Sequence, residues 1–258
     1  MTIANHTLGE FVFLATLGIA PSALWLWYYL KKDINPEPKR MVLKVFIFGF
    51  FSTFIAFGIE WVLIKAMLDL KAACPRCESV VPQLLGAAGA GRALFALSFI
   101  VLAALALVEE WVKFAAARLE IMRSRYFDEP IDAMIYCVIA ALGFAAAENI
   151  GYIMQNADQA IGIAYFRFIS ATFLHTLASA ILGYFFALSL IHTAKRIWLV
   201  SVGLALATVL HTLFNFLIIT SERGDHTMAS IILLMVFSYF FVLHLFERVK
   251  KLSFARIS

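Results

Sequence analysis

Charge is scarce in this chain: Asp, Glu, Lys and Arg make up 15% of its 258 residues, hydrophobic side chains make up 63%, and mean hydropathy is +0.88. A soluble domain carries about a quarter of its residues as charges. No single core in a chain of this size buries so much apolar surface, which excludes a soluble fold and leaves a polytopic membrane protein. Cysteine is equally sparse. Cys137 lies in an apolar run as packing, whereas Cys74 and Cys77 form a lone CPRC; it reads as a disulfide or half of a metal knuckle, with no second pair to complete the latter. The HExxH of soluble zinc proteases is missing, and so is any internal repeat or low-complexity stretch. The N-terminal MTIANHT has no basic n-region and no small-residue cleavage site follows the first apolar run, so that run is expected to remain as a helix. The net charge of +4 comes from basic residues in short loops, where orientation in the bilayer explains them better than nucleic acid does.

What is present is a series of apolar runs long enough to cross about 30 Å of hydrocarbon. Seven are expected, near residues 8–30, 42–68, 93–117, 131–154, 163–191, 197–220 and 228–246, forming one all-α integral-membrane domain over 1–258 with its core motifs at 105–217. Lysine and arginine alternate between the loops. Lys31, Lys32, Lys39 and Arg40 follow the first run, Arg118, Arg123 and Arg125 the third, Lys195 and Arg196 the fifth, and Arg248, Lys250, Lys251 and Arg256 the last. The expected orientation is N-terminus outside and C-terminus cytoplasmic, with CPRC on the outer side.

Within these runs lie residues that are costly in hydrocarbon. ALALVEEWVKF holds Glu109, Glu110 and Lys113; FAAAENIGY holds Glu148, Asn149 and Tyr152; FLHTLAS holds His175; HTLFNF holds His211 and Asn215. Residues three or four apart share a helix face, so Phe144, Glu148 and Tyr152 form one stripe, His175 and Ser179 a second, and His211 and Asn215 a third. Counted from the span centres, Glu148, His175 and His211 fall within roughly 10 Å of the midplane, displaced outward. Glu109 and Glu110 approach that depth when the third span is extended to Ala117.

Such a cluster suits metal-assisted hydrolysis. Catalytic zinc takes three protein ligands and leaves a position for water, whose pKa it lowers; a further carboxylate accepts the proton. Glu148, His175 and His211 are the candidate metal ligands, Glu109 or Glu110 the candidate base, and Asn215 a donor to the water or oxyanion. Lys113 is spaced i, i+4 from Glu109, so Glu110 is the favoured base. Packing histidines and a simple Glu109–Lys113 ion pair are the bland alternatives; the pair leaves Glu110 unexplained. His6, His192, His226 and His244 read as solvated, and Glu60, Lys65 and Arg167 as snorkelling or paired. Two rival functions share the charged groups: a proton- or ion-coupled transporter or channel, expected to show inverted repeats and broken helices, and an inactive scaffold that binds membrane proteins.

EEWVK, FDEPIDAMIYCVIAALGFAAAENIGY, FLHTLASAILGY and HTLFNF, with DINPEP after the first run, occur in one order over about residues 24–217. In that order they resemble the PrsW family of intramembrane proteases, which is related to the CAAX-processing proteases. The resemblance implies a multi-pass protease of a bacterial cytoplasmic membrane, with zinc or another divalent metal. Its expected partners are the lipid bilayer and a single-pass membrane protein substrate, an anti-sigma factor in the family's best-known role, cut on its extracytoplasmic side. It maps the family's glutamate pair onto Glu109 and Glu110, its FxxxE onto Phe144 and Glu148, and its later histidines onto His175 and His211. The related CAAX proteases carry histidine where Glu148 stands and arginine rather than Lys113.

Overall fold

A computed structural model of the chain describes residues 7–32, 35, 37–73, 99–122, 124–220 and 225–252; among them there is no strand. Eight helices run through them: α1 (Leu8–Leu30), α2 (Lys39–Ala73), α3 (99–121), α4 (Pro130–Gln155), α5 (Ala160–Ile169), α6 (Ala171–Ile191), α7 (Arg196–Thr220) and α8 (Asp225–Val249). Cys74, Cys77 and, within DINPEP, Asp33, Ile34 and Pro36 lie outside the described residues.

Local chemistry marks the helix starts. Thr7 and Glu10 form a reciprocal capping box, the Glu10 carboxylate accepting from the Thr7 amide at 2.7 Å. At α4, Pro130 supplies the preset φ of a first helical residue and the Asp132 carboxylate accepts from the Glu129 amide at 2.8 Å.

Among the described residues, six stretches are long and apolar enough to cross a membrane: Leu8–Leu30, Lys39–Ala66, Pro130–Gln155, Ala157–Ile191, Thr193–Thr220 and Met228–Val249. The chain is a multi-pass membrane protein, and its outer faces carry Phe51, Phe54 and Ile55 of α2 and Leu233, Phe237 and Phe240 of α8 toward the lipid. α3 is missing from that set because Glu109, Glu110 and Lys113 interrupt its apolar run. It nonetheless continues as helix past Ala117 to residue 121, as the longer reading of that span expects.

The expected single helix over 163–191 is two. Ser170 has non-helical φ −119° and ψ −94°, and it caps both α5 and α6. No proline or glycine causes this break. Its hydroxyl donates to the Phe166 carbonyl at 2.6 Å, and the Trp25 indole of α1 donates to the Phe168 carbonyl at 2.9 Å. Trp25 also stacks on Phe173 at 4.4 Å. Side chains thus supply the hydrogen bonds that a broken helix loses and that hydrocarbon cannot return.

α4 is the centre of the bundle, packed on α1, α2 and α6 and buried along nearly its whole length. Its alanines and Gly143 allow that. A Cβ at Gly143 would overlap the Phe46 carbonyl of α2, and one at Gly49 of α2 would overlap the Ala140 carbonyl of α4, so the two backbones meet without side chains between them. At Gly151, further along α4, nothing lies within 4 Å of such a Cβ. Gly143→Ala is therefore expected to lower stability by about 1–3 kcal/mol through overpacking, while Gly151→Ala leaves it unchanged or raises it by up to about 1 kcal/mol through helix propensity. Unfolding of the two variants in mild detergent checks this.

Candidate active site

Glu109 and Glu110 project from neighbouring positions of α3, about 100° apart around the helix axis, and meet different surroundings. The Glu110 side chain is wholly buried, while that of Glu109 is 13% exposed. The ion pair on this helix is Lys113 with Glu110, at 2.6 Å and i, i+3, rather than the expected i, i+4 pair with Glu109. Both spacings lie on one helix face. The choice is made by α4 and α6: Lys113 reaches over the Phe144 ring, 5.0 Å to its centroid, and donates to Nδ1 of His175 at 2.9 Å.

Glu110 is engaged chiefly through Oε1. Besides Lys113 it accepts from Nδ1 of His211 at 2.8 Å, and the Ser179 hydroxyl approaches at 3.5 Å. Donation from Nδ1 fixes the His211 tautomer and leaves the Nε2 lone pair free. That lone pair faces Oε2 of Glu109 at 3.8 Å, and Oε2 is buried with no hydrogen-bond partner. Two electron-pair donors at 3.8 Å are too far apart to share a proton well. They are close enough for bonds of about 2.0–2.2 Å each to a common metal ion. One donor atom each from Glu109, His175 and His211 falls within 4.8 Å of the other two, so these residues fit a metal. The imidazoles stand edge to face at 5.1 Å.

Behind His175 stands a second layer. Its Nε2 meets Oε2 of Glu148 at 2.9 Å, and the same oxygen accepts from Nη2 of Arg167 at 3.1 Å. Arg167 comes from α5, just before the break at Ser170, and its Nε donates to Oδ1 of Asn149. Asn149 donates in turn to the Thr172 hydroxyl at 3.0 Å, and the guanidinium lies over the Tyr152 ring at 4.2 Å. The Glu–Asn–Tyr end of FAAAENIGY therefore forms a seat for Arg167, which is paired, one of the two states expected of it.

The structure thus brings Glu109, Glu110, Glu148, His175 and His211 together, with Glu109 closer than Glu148 to the pair of imidazoles as a third donor. Asn215, one turn beyond His211 on α7, is partly buried and takes none of these bonds. Glu60 of α2 is the residue that sequence reasoning placed elsewhere. Its Oε1 is buried without a hydrogen-bond partner, and its charge is felt by Glu109 and feels Glu148 and Lys113. The signal was a carboxylate within FIAFGIEWVLIKA, assigned to snorkelling or pairing together with Lys65; Lys65 instead rests 5.3 Å from the Trp61 ring centroid.

A family model, the PrsW family intramembrane metalloprotease, matches residues 37–244. A protease PrsW of Geobacillus kaustophilus is 29% identical over 216 residues, covering 83% of this chain and 84% of that protein. Another, from Bacillus subtilis, is 25% identical over 242 residues, covering 93% and 97%. A third, from Clostridioides difficile, is 25% identical over 225 residues, covering 86% and 83%. No solved structure matches.

The two kinds of carboxylate are expected to differ in stability. Glu110→Gln strands Lys113 and His211 around a lost counter-charge, and removing one member of a buried pair costs about 3–5 kcal/mol. Glu60→Gln removes a carboxylate that has an unpartnered buried oxygen, so its unfolding transition should stay in place or rise. Thermal unfolding of both variants in one detergent measures the difference.

Proposed function

The chain belongs to the PrsW family of intramembrane metalloproteases, and from that premise we propose how its buried cluster cleaves a membrane-anchored protein. The observation that carries the reading is the unpartnered Oε2 of Glu109 facing the free Nε2 of His211 at 3.8 Å, beside His175. Glu109, His175 and His211 hold a divalent metal, with zinc the expected ion for a set of two imidazoles and one carboxylate. A metal held there supplies Lewis-acid polarisation of the scissile carbonyl and a water acidic enough to attack it near neutral pH.

The chain's other side chains prepare that site. Glu110 holds His211 by Nδ1, so that Nε2 points at the centre, and outer partners of this kind also raise the basicity of a ligand. Glu148 holds His175 in the same way and is itself held by Arg167. Lys113 offsets the Glu110 charge and occupies Nδ1 of His175, so His175 engages a metal when Lys113 releases Nδ1 or Glu148 releases Nε2. Lys113 and His211 both bond Oε1 of Glu110, which suits it to a positioning role, and Glu109, whose Oε2 has no partner, is the carboxylate that touches the reacting centre. Asn215, on the face of α7 that carries His211, is the donor to the developing oxyanion.

His175 lies in the first turns of α6 and Glu148 in the last turns of α4, at the membrane end shared with the start of α1. With the N-terminus outside, the cut falls toward the extracytoplasmic side of a single-pass substrate. An anti-sigma factor is the substrate class that the family resemblance implies.

Cleavage of a panel of single-pass membrane proteins by purified enzyme tests the assignment. Chelation should abolish activity, and added zinc restore it. Glu109→Gln and His211→Ala should each lose roughly a thousandfold or more. Glu110→Gln should lose about 10- to 100-fold, with metal affinity falling in parallel. Cleavage that survives the chelator, or survives Glu109→Gln while Glu110→Gln is dead, overturns the reading.

A further inference from the structure

At the opposite end of the bundle, α3, α6 and α7 line a half-open cavity of about 190 Å³. Phe114 and Phe186 form its floor, in edge contact at 5.1 Å, and Val200 and Ser201 line one wall. Arg118 of α3 and Arg196 of α7 line the same space, and neither guanidinium has a carboxylate partner among the described residues. A neighbouring depression adds Lys195 and Trp198 and shares Arg196 and Ser201 with the first.

An apolar floor under two unpaired guanidiniums matches an amphiphile, not a free ion. The basic residues sit at the end that charge distribution assigns to the cytoplasm, where anionic lipids concentrate, and basic pockets between membrane helices bind lipid headgroups. Trp198, 62% exposed beside them, has the amphipathic ring typical of the headgroup level. The three helices that line this cavity also carry Glu109, His175 and His211, and Phe114 directly follows Lys113.

We propose that the cavity binds one anionic phospholipid, its phosphate on Arg118 and Arg196 and the upper part of an acyl chain over Phe114 and Phe186, and that the bound lipid holds α3, α6 and α7 at the spacing their buried residues need. Only the consequence for cleavage rests on the protease reading; the binding stands without it.

The test titrates the purified full chain, in neutral detergent, with phosphatidylglycerol and with phosphatidylcholine of identical acyl chains. Binding is read by native mass spectrometry and by the shift in thermal unfolding. One phosphatidylglycerol should bind at least tenfold more tightly than phosphatidylcholine. A basic residue near an anionic surface contributes about fivefold, so the Arg118→Gln/Arg196→Gln double variant should lose roughly twenty-five-fold. Lys250→Gln/Lys251→Gln, which removes equal charge from the tail, should lose nothing. Ser201→Phe, which fills the cavity at constant charge, should weaken phosphatidylglycerol as well. Equal loss in the arginine and tail variants means surface charge alone, equal binding of the two lipids means an apolar groove alone, and equal protection by inorganic phosphate means an anion site alone; each overturns the proposal. Selective lipid binding in a protein that cleaves nothing would sink the protease reading and leave the lipid site intact.

Discussion

A carboxylate removed from water is tolerated only when its oxygens are met by donors, and in this bundle Glu110 is where that requirement is strictest. It is wholly buried, and its partners come from three helices: Lys113 on its own helix, Ser179 on α6 and His211 on α7. The desolvation of such a group costs several kcal/mol before any partner is counted. α3, α6 and α7 therefore cannot slide independently, because a shift in any one of them uncovers the charge. Glu109 and Glu60 show the contrast. Each keeps a buried oxygen with no hydrogen bond, so each carries unspent attraction for a cation.

That network needs the helices at close quarters, and α4 supplies the closeness. Gly143 and its alanines let α2 and α6 approach the backbone of α4, which sets Phe144 beneath Lys113 and Glu148 beside His175. The break at Ser170 works from the other side. It turns α5 so that Arg167 reaches Glu148 and Asn149, while Thr172, just inside α6, receives the Asn149 amide. Broken helices suit a transporter reading as well, but this one is accounted for by Trp25 and Arg167, whose bonds settle the freed backbone and the Glu148 charge.

Much of this was legible in the sequence because charges in apolar runs are few. Glu148, His175 and His211 stood out on helical faces, and the extension of α3 to Ala117 followed from keeping Lys113 inside it. The partner of Lys113 was not legible: i, i+3 and i, i+4 are equivalent on an isolated helix, and the decision came from His175, 62 residues away. The Ser170 break was invisible for a similar reason, since FRFISATFLH contains no breaker and the distortion is imposed by Trp25 of another helix. Glu60 was visible as a charge but was set among snorkelling or paired groups with Lys65, because one sequence does not tell which face of α2 meets the cluster.

Formal charge around the cluster points the same way as its geometry. When ionised, Glu60, Glu109, Glu110 and Glu148 bring four negative charges, and Lys113 and Arg167 return two positive ones. Glu110 and Glu148 already hold Lys113 and Arg167, so the deficit of two sits on Glu109 and Glu60. Two protons would neutralise it, yet a proton on Glu109 would seek the Nε2 lone pair of His211, and 3.8 Å is beyond a good O–H···N distance. A divalent ion meets the same deficit without closing that gap, and it does so at the one carboxylate that His211 and His175 face together. The cost of carrying Glu109 into the membrane is thereby tied to its proposed use: only a carboxylate left unpaired by the fold is available to hold a metal.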